Sequence, residues 1–150
     1  MHAMQAAHEV RKVDIEQGTL DVLVNNAGIT RDTLSMRMKD DDWDAVMNVH
    51  MKGTYACTHH AVVRWRTKHK QTNQPINGRI INTVSGAMFG SVGQSNYGAA
   101  KAGIAAFTNI AALELARYNV TVNCIAPRAR TPMTEVNPKF AKPESGFDKY

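Results

Sequence analysis

Cysteine is scarce in this chain. Two residues, Cys57 and Cys124, occur among 150, too few for a disulfide framework, and neither has a His or second Cys at metal-ligand spacing. Both lie in apolar periodic segments and read as buried free thiols in a reducing cytoplasm; no metal site is expected. No uninterrupted apolar run approaches the roughly 18 residues that a membrane-crossing helix needs. The opening segment mixes Met4, Ala7 and Val10 with His8, Glu9, Arg11 and Lys12, so it has no apolar core of signal-peptide type, and a soluble, unexported protein is expected. Aromatic residues make up only 7% and are not interleaved with basic ones, which argues against a nucleic-acid surface. Much of the net charge of +5 comes from Arg64, Arg66, Lys68 and Lys70. Cations where a long helix pattern ends suit the helix dipole; docking of an acidic partner is the sharper reading of the same cluster.

What is present is alternation. Hydrophobic residues at 43% and charged residues at 21% are ordinary for one globular domain, taken here as 1–150. Residues 1–17 read as a short helix stopped by Gly18. Leu20 to Val24 reads as a strand running into the turn-forming group Asn25-Asn26-Ala27-Gly28. After a loop to about Lys39, Asp40 or Asp41 can cap a long helix carrying Trp43, Val46, Met47, Met51, Tyr55, Val62 and Trp65 at helical spacing and fading near His69. Gln71 to Gly78 is a polar loop, Arg79 to Val84 a second strand, Ser95 to Tyr118 a third helix, and Val120 to Ile125 a third strand. Residues 127–150, with Pro132, Pro138 and Pro143, read as loop and tail. Strands separated by helices of this length need crossover connections, so residues 18–126 predict an α/β fold with a parallel sheet and helices on its faces.

Tyr97 and Lys101 stand four apart in the third helix, which puts phenol and ammonium on one face a turn apart. A phenol is a poor acid or base near neutrality, its ordinary pKa being about 10, and an adjacent cation favours the phenolate. Such a group can exchange a proton with a carbonyl or alcohol. On its own the pair is more often surface decoration. Its context is what counts: Ser85 directly follows the second strand, Asn25 to Gly28 follow the first and Ala126-Pro127 the third, and ligands of parallel sheets gather at these carboxyl ends. Gly86, Gly90 and Gly93 do not have the spacing of a dinucleotide fingerprint and are read as turn residues.

Asn25-Asn26-Ala27-Gly28, Asn48, Ser85, Tyr97 with Lys101, and Ala126-Pro127 occur in the order and approximate spacing of the short-chain dehydrogenase/reductase family, which the chain resembles from about Gly18 to Thr134. The stretches Asn25 to Asp32 and Met36 to Lys39 are most similar to bacterial 3-oxoacyl-[acyl-carrier-protein] reductases and acetoacetyl-CoA reductases. The resemblance implies the C-terminal half of a Rossmann-like, doubly wound parallel sheet. It also implies reversible hydride transfer between NADP or NAD, NADPH favoured, and a ketone, with an acyl thioester of CoA or acyl carrier protein as substrate. By the same resemblance Tyr97 protonates the carbonyl oxygen, Ser85 places that oxygen, and Lys101 favours the phenolate and binds the nicotinamide ribose hydroxyls. Asn48 holds a water that completes the proton relay, as its counterpart does by locally distorting the helix. Asn26, Ala27 and Gly28 line the ribose side, and Thr131 in Thr131-Pro132-Met133 is similar to the family's Thr-x-Met at the nicotinamide end. Full family members pair through two long helices, here Asp41 to His69 and Ser95 to Tyr118, so a homo-oligomer is implied for a full domain. Neither nucleic acid nor membrane is expected as a partner.

The chain departs from the family pattern in several places. Nothing before Gly18 supplies the glycine-rich turn that holds the pyrophosphate, and the substrate-lid region looks short after Thr134. Ser85 precedes Tyr97 by one residue fewer than is usual, with Val84 in the strict position, and Arg128 stands where Pro-Gly is common. Half a doubly wound sheet leaves the Leu20 to Val24 strand with an uncovered edge. A second function class therefore stays open: an inactive fragment that acts only as a subunit-interaction module.

Overall fold

The structure, a computed structural model, describes residues 19–128; the expected helix over 1–17, Thr131 and nearly all of the expected tail lie outside them. Three strands, β1 (Val22–Asn25), β2 (Arg79–Thr83) and β3 (Thr121–Ile125), form one parallel sheet in the order β1-β2-β3. Helices occupy both crossovers, as strand separation demanded. Between β1 and β2 run α1 (Asp40–Met47), a π-helical turn (Asn48–Lys52) and α2 (Gly53–Thr72). Between β2 and β3 runs α3 (Ser95–Leu115), extended by a 3-10 turn, Ala116–Tyr118.

Register shows how the core forms. Leu23 pairs with Ile80, and Ile80 with Val122, so period-two alternation sends all three side chains to one face. There they are buried with Cys57, Ala61 and Trp65 of α2 and Ala111 and Leu115 of α3. Burying one such Leu or Ile side chain stabilises by about 1.5–3 kcal/mol, and this cluster is the main apolar body of the described residues. The opposite face differs. Val22 and Val24 are 52% and 55% exposed, so among the described residues the helices cover one face of the sheet, not both. Among the described residues β1 is also an edge, as expected from half a doubly wound sheet.

Boundaries moved for identifiable reasons. The first strand starts at Val22 rather than Leu20, because the Leu20 carbonyl accepts from Trp65 Nε1 at 2.7 Å and is spent on tertiary packing. Neither Asp40 nor Asp41 caps α1: the cap position is Lys39, without a side-chain hydrogen bond. Asp40, Asp41 and Asp42 instead occupy the first turn, where carboxylates favour the helix dipole. The α2 helix continues past His69 to Thr72 and stops at Asn73, left-handed at φ 52°, whose N–H donates to the His69 carbonyl at 2.8 Å. Gly90 and Gly93 take positive φ in the connection to α3, which is turn geometry, whereas Gly86 opens a 3-10 turn (Gly86–Phe89).

The two cysteines part company. Cys57 is buried, as expected, but Cys124 is exposed. It sits near the carboxyl end of β3, an edge strand on which Val122 is the buried residue. By length and apolar content alone, Ser95–Tyr118 is a helix that could cross a membrane, a feature the sequence reading passed over. Its Ile104, Ala111 and Leu115 are buried in this fold, and α3 packs on β2 and β3.

Candidate active site

The carboxyl ends of β1 and β2 are polar where their lower halves are apolar. Asn25 pairs with Asn82 across the two strands, and a chain of hydrogen bonds runs outward from them. Asn25 Nδ2 donates to Asn82 Oδ1 at 2.8 Å and to Thr58 Oγ1 of α2 at 3.1 Å; Asn82 Nδ2 donates to Thr108 Oγ1 of α3 at 2.9 Å. Thr108 Oγ1 in turn donates to the Ile104 carbonyl at 2.7 Å. Buried polar groups demand partners, and here Thr58 and Thr108 each tie a helix to a strand end.

One residue further along, Thr83 joins the groups singled out from sequence. Its Oγ1 donates to Asn26 Oδ1 at 2.9 Å, and its carbonyl accepts from Lys101 Nζ at 2.6 Å. Lys101 is 3% exposed, and burial pushes its ammonium down to about 8 because desolvation penalises the charged form. The ammonium lies 5.5 Å from the centroid of the Tyr97 ring. The four-residue spacing thus places cation and phenol together as expected, with Lys101 anchored to the strand end beside Asn26.

Tyr97 is half-buried at the first turn of α3, and its neighbours fix that turn. Asn96 is fully buried: its Oδ1 accepts from the Tyr97 N–H at 2.7 Å, and its Nδ2 donates to the carbonyls of Arg31 at 3.1 Å and Asp42 at 3.3 Å. Gly98 has no room for a side chain, since a Cβ would stand 2.8 Å from the Ala87 carbonyl oxygen. The 3-10 turn following Ser85 therefore packs against the helix next to Tyr97, and so the shortened connection still closes. Ser85 is the cap of that turn, its Oγ accepting from Ala87 N–H at 3.3 Å.

Asn48 stands at the first position of the π-helical turn and is exposed. Two residues on, His50 is 1% exposed. Its ring meets Tyr97 edge to face, centroids 5.2 Å apart at 88°, and its Nε2 lies 2.8 Å from the Ile29 carbonyl oxygen and 3.1 Å from the Ile29 amide nitrogen. A Cβ on Gly28 would stand 2.7 Å from His50 Cε1, so the turn after β1 needs glycine there to admit the imidazole. Burial pushes His50 below the ordinary value of 6.5, the Ile29 hydrogen bond opposes this and the Lys101 charge adds to it.

A family model described as short chain dehydrogenase matches residues 2–142. The chain belongs to this family. It is 49% identical over 130 residues to a hydroxyacyl-CoA dehydrogenase of Mycobacterium tuberculosis, covering 85% of this chain and 41% of that one. It is 46% identical over 140 residues to a 3-oxoacyl-[acyl-carrier-protein] reductase of Thermotoga maritima, covering 92% of this chain and 54% of the relative. The crystal structure of a short chain dehydrogenase from Mycobacterium avium superposes with a TM-score of 0.80 at 51% identity, covering 88% of this chain and 45% of that one. The chain thus spans about half the length of the relatives it matches.

The described residues suit the ribose end of the nicotinamide dinucleotide that such a family implies. Lys101 Nζ carries three donors, of which Thr83 takes one; Asn26, which shares Thr83 with it, is exposed, as are Ala27 and Gly28. Three participants escaped the sequence reading. Thr83 and Asn96 flank motif residues and signal nothing by type. His50 had a usable signal, a histidine two positions after the expected Asn48 on the same helix pattern, but a lone histidine among apolar residues is commonly just core.

Proposed function

We propose that this chain is the catalytic half of an NAD(P)-dependent oxidoreductase that reduces a ketone, a 3-oxoacyl thioester of CoA or acyl carrier protein, to the secondary alcohol. The observation that carries this reading is the buried Lys101 ammonium, held by the Thr83 carbonyl at a strand end, 5.5 Å from the Tyr97 ring. The thioester substrate is suggested by the two relatives, whose names specify hydroxyacyl-CoA and 3-oxoacyl-[acyl-carrier-protein]. NADPH is favoured over NADH by the resemblance alone.

When bound, the dinucleotide would supply or accept the hydride. Tyr97 gives its phenolic proton to the carbonyl oxygen in reduction and takes it back in oxidation. Ser85 Oγ has a lone pair engaged by Ala87 N–H, and its O–H is left to donate to the same carbonyl oxygen and hold it in place. The remaining donors of Lys101 would be available to the ribose hydroxyls of a bound dinucleotide, and by the resemblance its charge would favour the phenolate of Tyr97 after proton transfer. Asn26, Ala27 and Gly28 would line the ribose side, as the resemblance implies. Asn48, at the widened turn, is assigned the water of the relay, and Thr131 the nicotinamide end; both assignments rest on the resemblance.

A second reading has its own observation. Ile110 and Leu113 on α3 and Tyr55 and Val63 on α2 are exposed, the kind of apolar surface that joins subunits, and a chain acting only as an interaction module would keep it. Titration with NADPH and NADH, followed by an acetoacetyl-CoA reduction assay, separates the two. The oxidoreductase reading requires binding and turnover; neither appearing would leave the interaction module.

A further inference from the structure

Two buried amides stand near the carboxyl ends of the strands, and they are used differently. Asn82 spends its side chain on Asn25 and Thr108, which ties strand to strand and strand to helix. Asn96 bonds to three separate stretches of chain, and one of its partners is the backbone of the residue that carries the phenol. We propose that Asn96 is a positioning residue: its amide ties the first turn of α3, and with it Tyr97, to the loop that continues from the Asn26-Ala27-Gly28 turn. The inference rests on the reading of Tyr97 as the proton donor and extends the site to a residue outside the expected set.

The need for such a tie follows from where Tyr97 stands. The first N–H groups of a helix have no intrahelical acceptor, and Gln94, at the cap position of α3, makes no side-chain hydrogen bond to them. The helical ladder begins with the Gly98 N–H, which donates to the Gln94 carbonyl at 2.7 Å. Tyr97 lies just before it, and its N–H donates to Asn96 Oδ1 at 2.7 Å. The Nδ2 of the same planar amide donates to the Arg31 carbonyl at 3.1 Å and to the Asp42 carbonyl at 3.3 Å. Asn96 is 0% exposed. Turning a fully engaged amide out of water strands a donor or an acceptor, so this one is fixed.

Arg31 lies just past Gly28, and Asp42 is in the first turn of α1. Two outer ties join the same segments: the Thr33 N–H donates to the Gly93 carbonyl at 2.8 Å, and Gln94 Nε2 donates to Asp32 Oδ2 at 2.8 Å. The Gln94–Asp32 bond is exposed, where water competes for both partners. Asn96 is the member of this set that bonds directly to the Tyr97 backbone. Any slide of the first turn of α3 along the loop must break one of its bonds, so the placement of the phenol against the turn after β1 is set through this amide.

The competing account is a plain helix cap, and the two accounts disagree about Asn96→Asp. A carboxylate still accepts from the Tyr97 N–H, and the positive end of a helix favours it in ionised form. It has no proton to give to the Arg31 and Asp42 carbonyls. A cap is therefore served at least as well by Asp, whereas the tie is cut at one end.

The test uses the full chain with Asn96→Asp, and Gln94→Ala as a control that cuts only the exposed bond. Asn96→Asp is expected to lose kcat for acetoacetyl-CoA reduction by about 10- to 100-fold, as for a small misplacement of a reacting group, with little change in the NADPH KM. Gln94→Ala is expected to stay within about two-fold, as for an ordinary surface substitution. Carbon NMR of tyrosine-labelled protein is expected to show the Tyr97 ring signals shifted in Asn96→Asp and those of Tyr55 and Tyr118 in place. In the unsubstituted chain, the Asn96 side-chain amide protons are expected to exchange with solvent more slowly than those of the exposed Asn48, a measurement that does not need the variant to fold. Rapid exchange at Asn96 overturns the proposal, and so does an Asn96→Asp protein with unchanged kcat or unmoved Tyr97 signals. So does a common shift of all three tyrosines, which marks general loosening, or equal impairment in Gln94→Ala. If the unsubstituted chain turns over nothing, a shift confined to Tyr97 supports the placement and sinks the oxidoreductase reading; no shift overturns both.

Discussion

The two ends of this sheet are built from the same three strands and differ in almost everything else. At the amino ends, Leu23, Ile80 and Val122 meet Ala61, Trp65 and Leu115 in an apolar cluster. At the carboxyl ends, Asn25, Asn82, Thr83, Asn96, His50 and Lys101 each make hydrogen bonds, and two of these residues are ionisable. Helix α3 belongs to both, with Tyr97 and Lys101 in its first turns and Ala111 and Leu115 in its last. The difference teaches a division of labour: apolar burial near one end supplies net stability, while desolvated polar groups at the other fix the geometry of the candidate site at some cost to it.

The sharpest way to break that comparison is to substitute once at each end. Tyr97→Phe removes a single oxygen at the polar end, and its expected loss of turnover is about 10²- to 10⁴-fold, with thermal and chemical unfolding unchanged. A Phe variant with normal acetoacetyl-CoA reduction would refute the role of the phenol. Ile80→Ala, at a fully buried position, has the opposite profile: a loss of about 2–5 kcal/mol in stability, read from urea unfolding, with the activity of the remaining folded fraction little altered. If Ile80→Ala proved stability-neutral, the apolar cluster would not be the core assigned here.

The two ends were also unequally legible in the sequence. The apolar end was legible as short apolar runs, Leu20 to Val24, Arg79 to Val84 and Val120 to Ile125, and as long apolar spacing in α2 and α3, but which strand residue faces the core was not, since Ile80 and Ile81 are alike in type and only Ile80 is fully buried. At the polar end, Tyr97, Lys101 and Ser85 could be picked out by spacing and resemblance, and the structure places Tyr97 with Lys101 as foreseen. His50 and Thr83 could not, because their part depends on contacts across 18 to 57 residues of sequence with Ile29, Lys101 and Asn26. No local pattern reports such contacts. The absent cap at Asp40 and Asp41 and the exposed Cys124 have a related cause: residue type suggested a habit, and the position of the chain end of each element decided otherwise.

A smaller effect separates the ends by pH. The Lys101 ammonium is desolvated, its value falling from 10.5 to about 8 on folding. Below about 8 the folded protein carries a buried cation that is better solvated when unfolded. Between about 8 and 10.5 the unfolded chain binds more protons than the folded one, so stability attributable to this group rises with pH across that window. Relative to Lys101→Met, the unsubstituted chain is expected to gain stability as pH is raised from 8 to 10.5. Parallel stability curves for the two proteins would show that Lys101 is not held as described.

The smallest expected effect lies with the thiols, and it tests burial rather than chemistry. Cys57 sits in the apolar cluster, where burial raises its thiol above the ordinary value; the thiolate is the reactive form, so this residue should be inert. Cys124 is exposed near the end of β3. An aromatic disulfide reagent should therefore label Cys124 quickly in the folded chain and Cys57 only on unfolding, and Cys124→Ser should change stability by no more than about 0.5 kcal/mol. Equal labelling rates at both positions would mean that the apolar end opens as readily as the strand terminus, and the contrast between a closed core and a polar rim would fail at its simplest point.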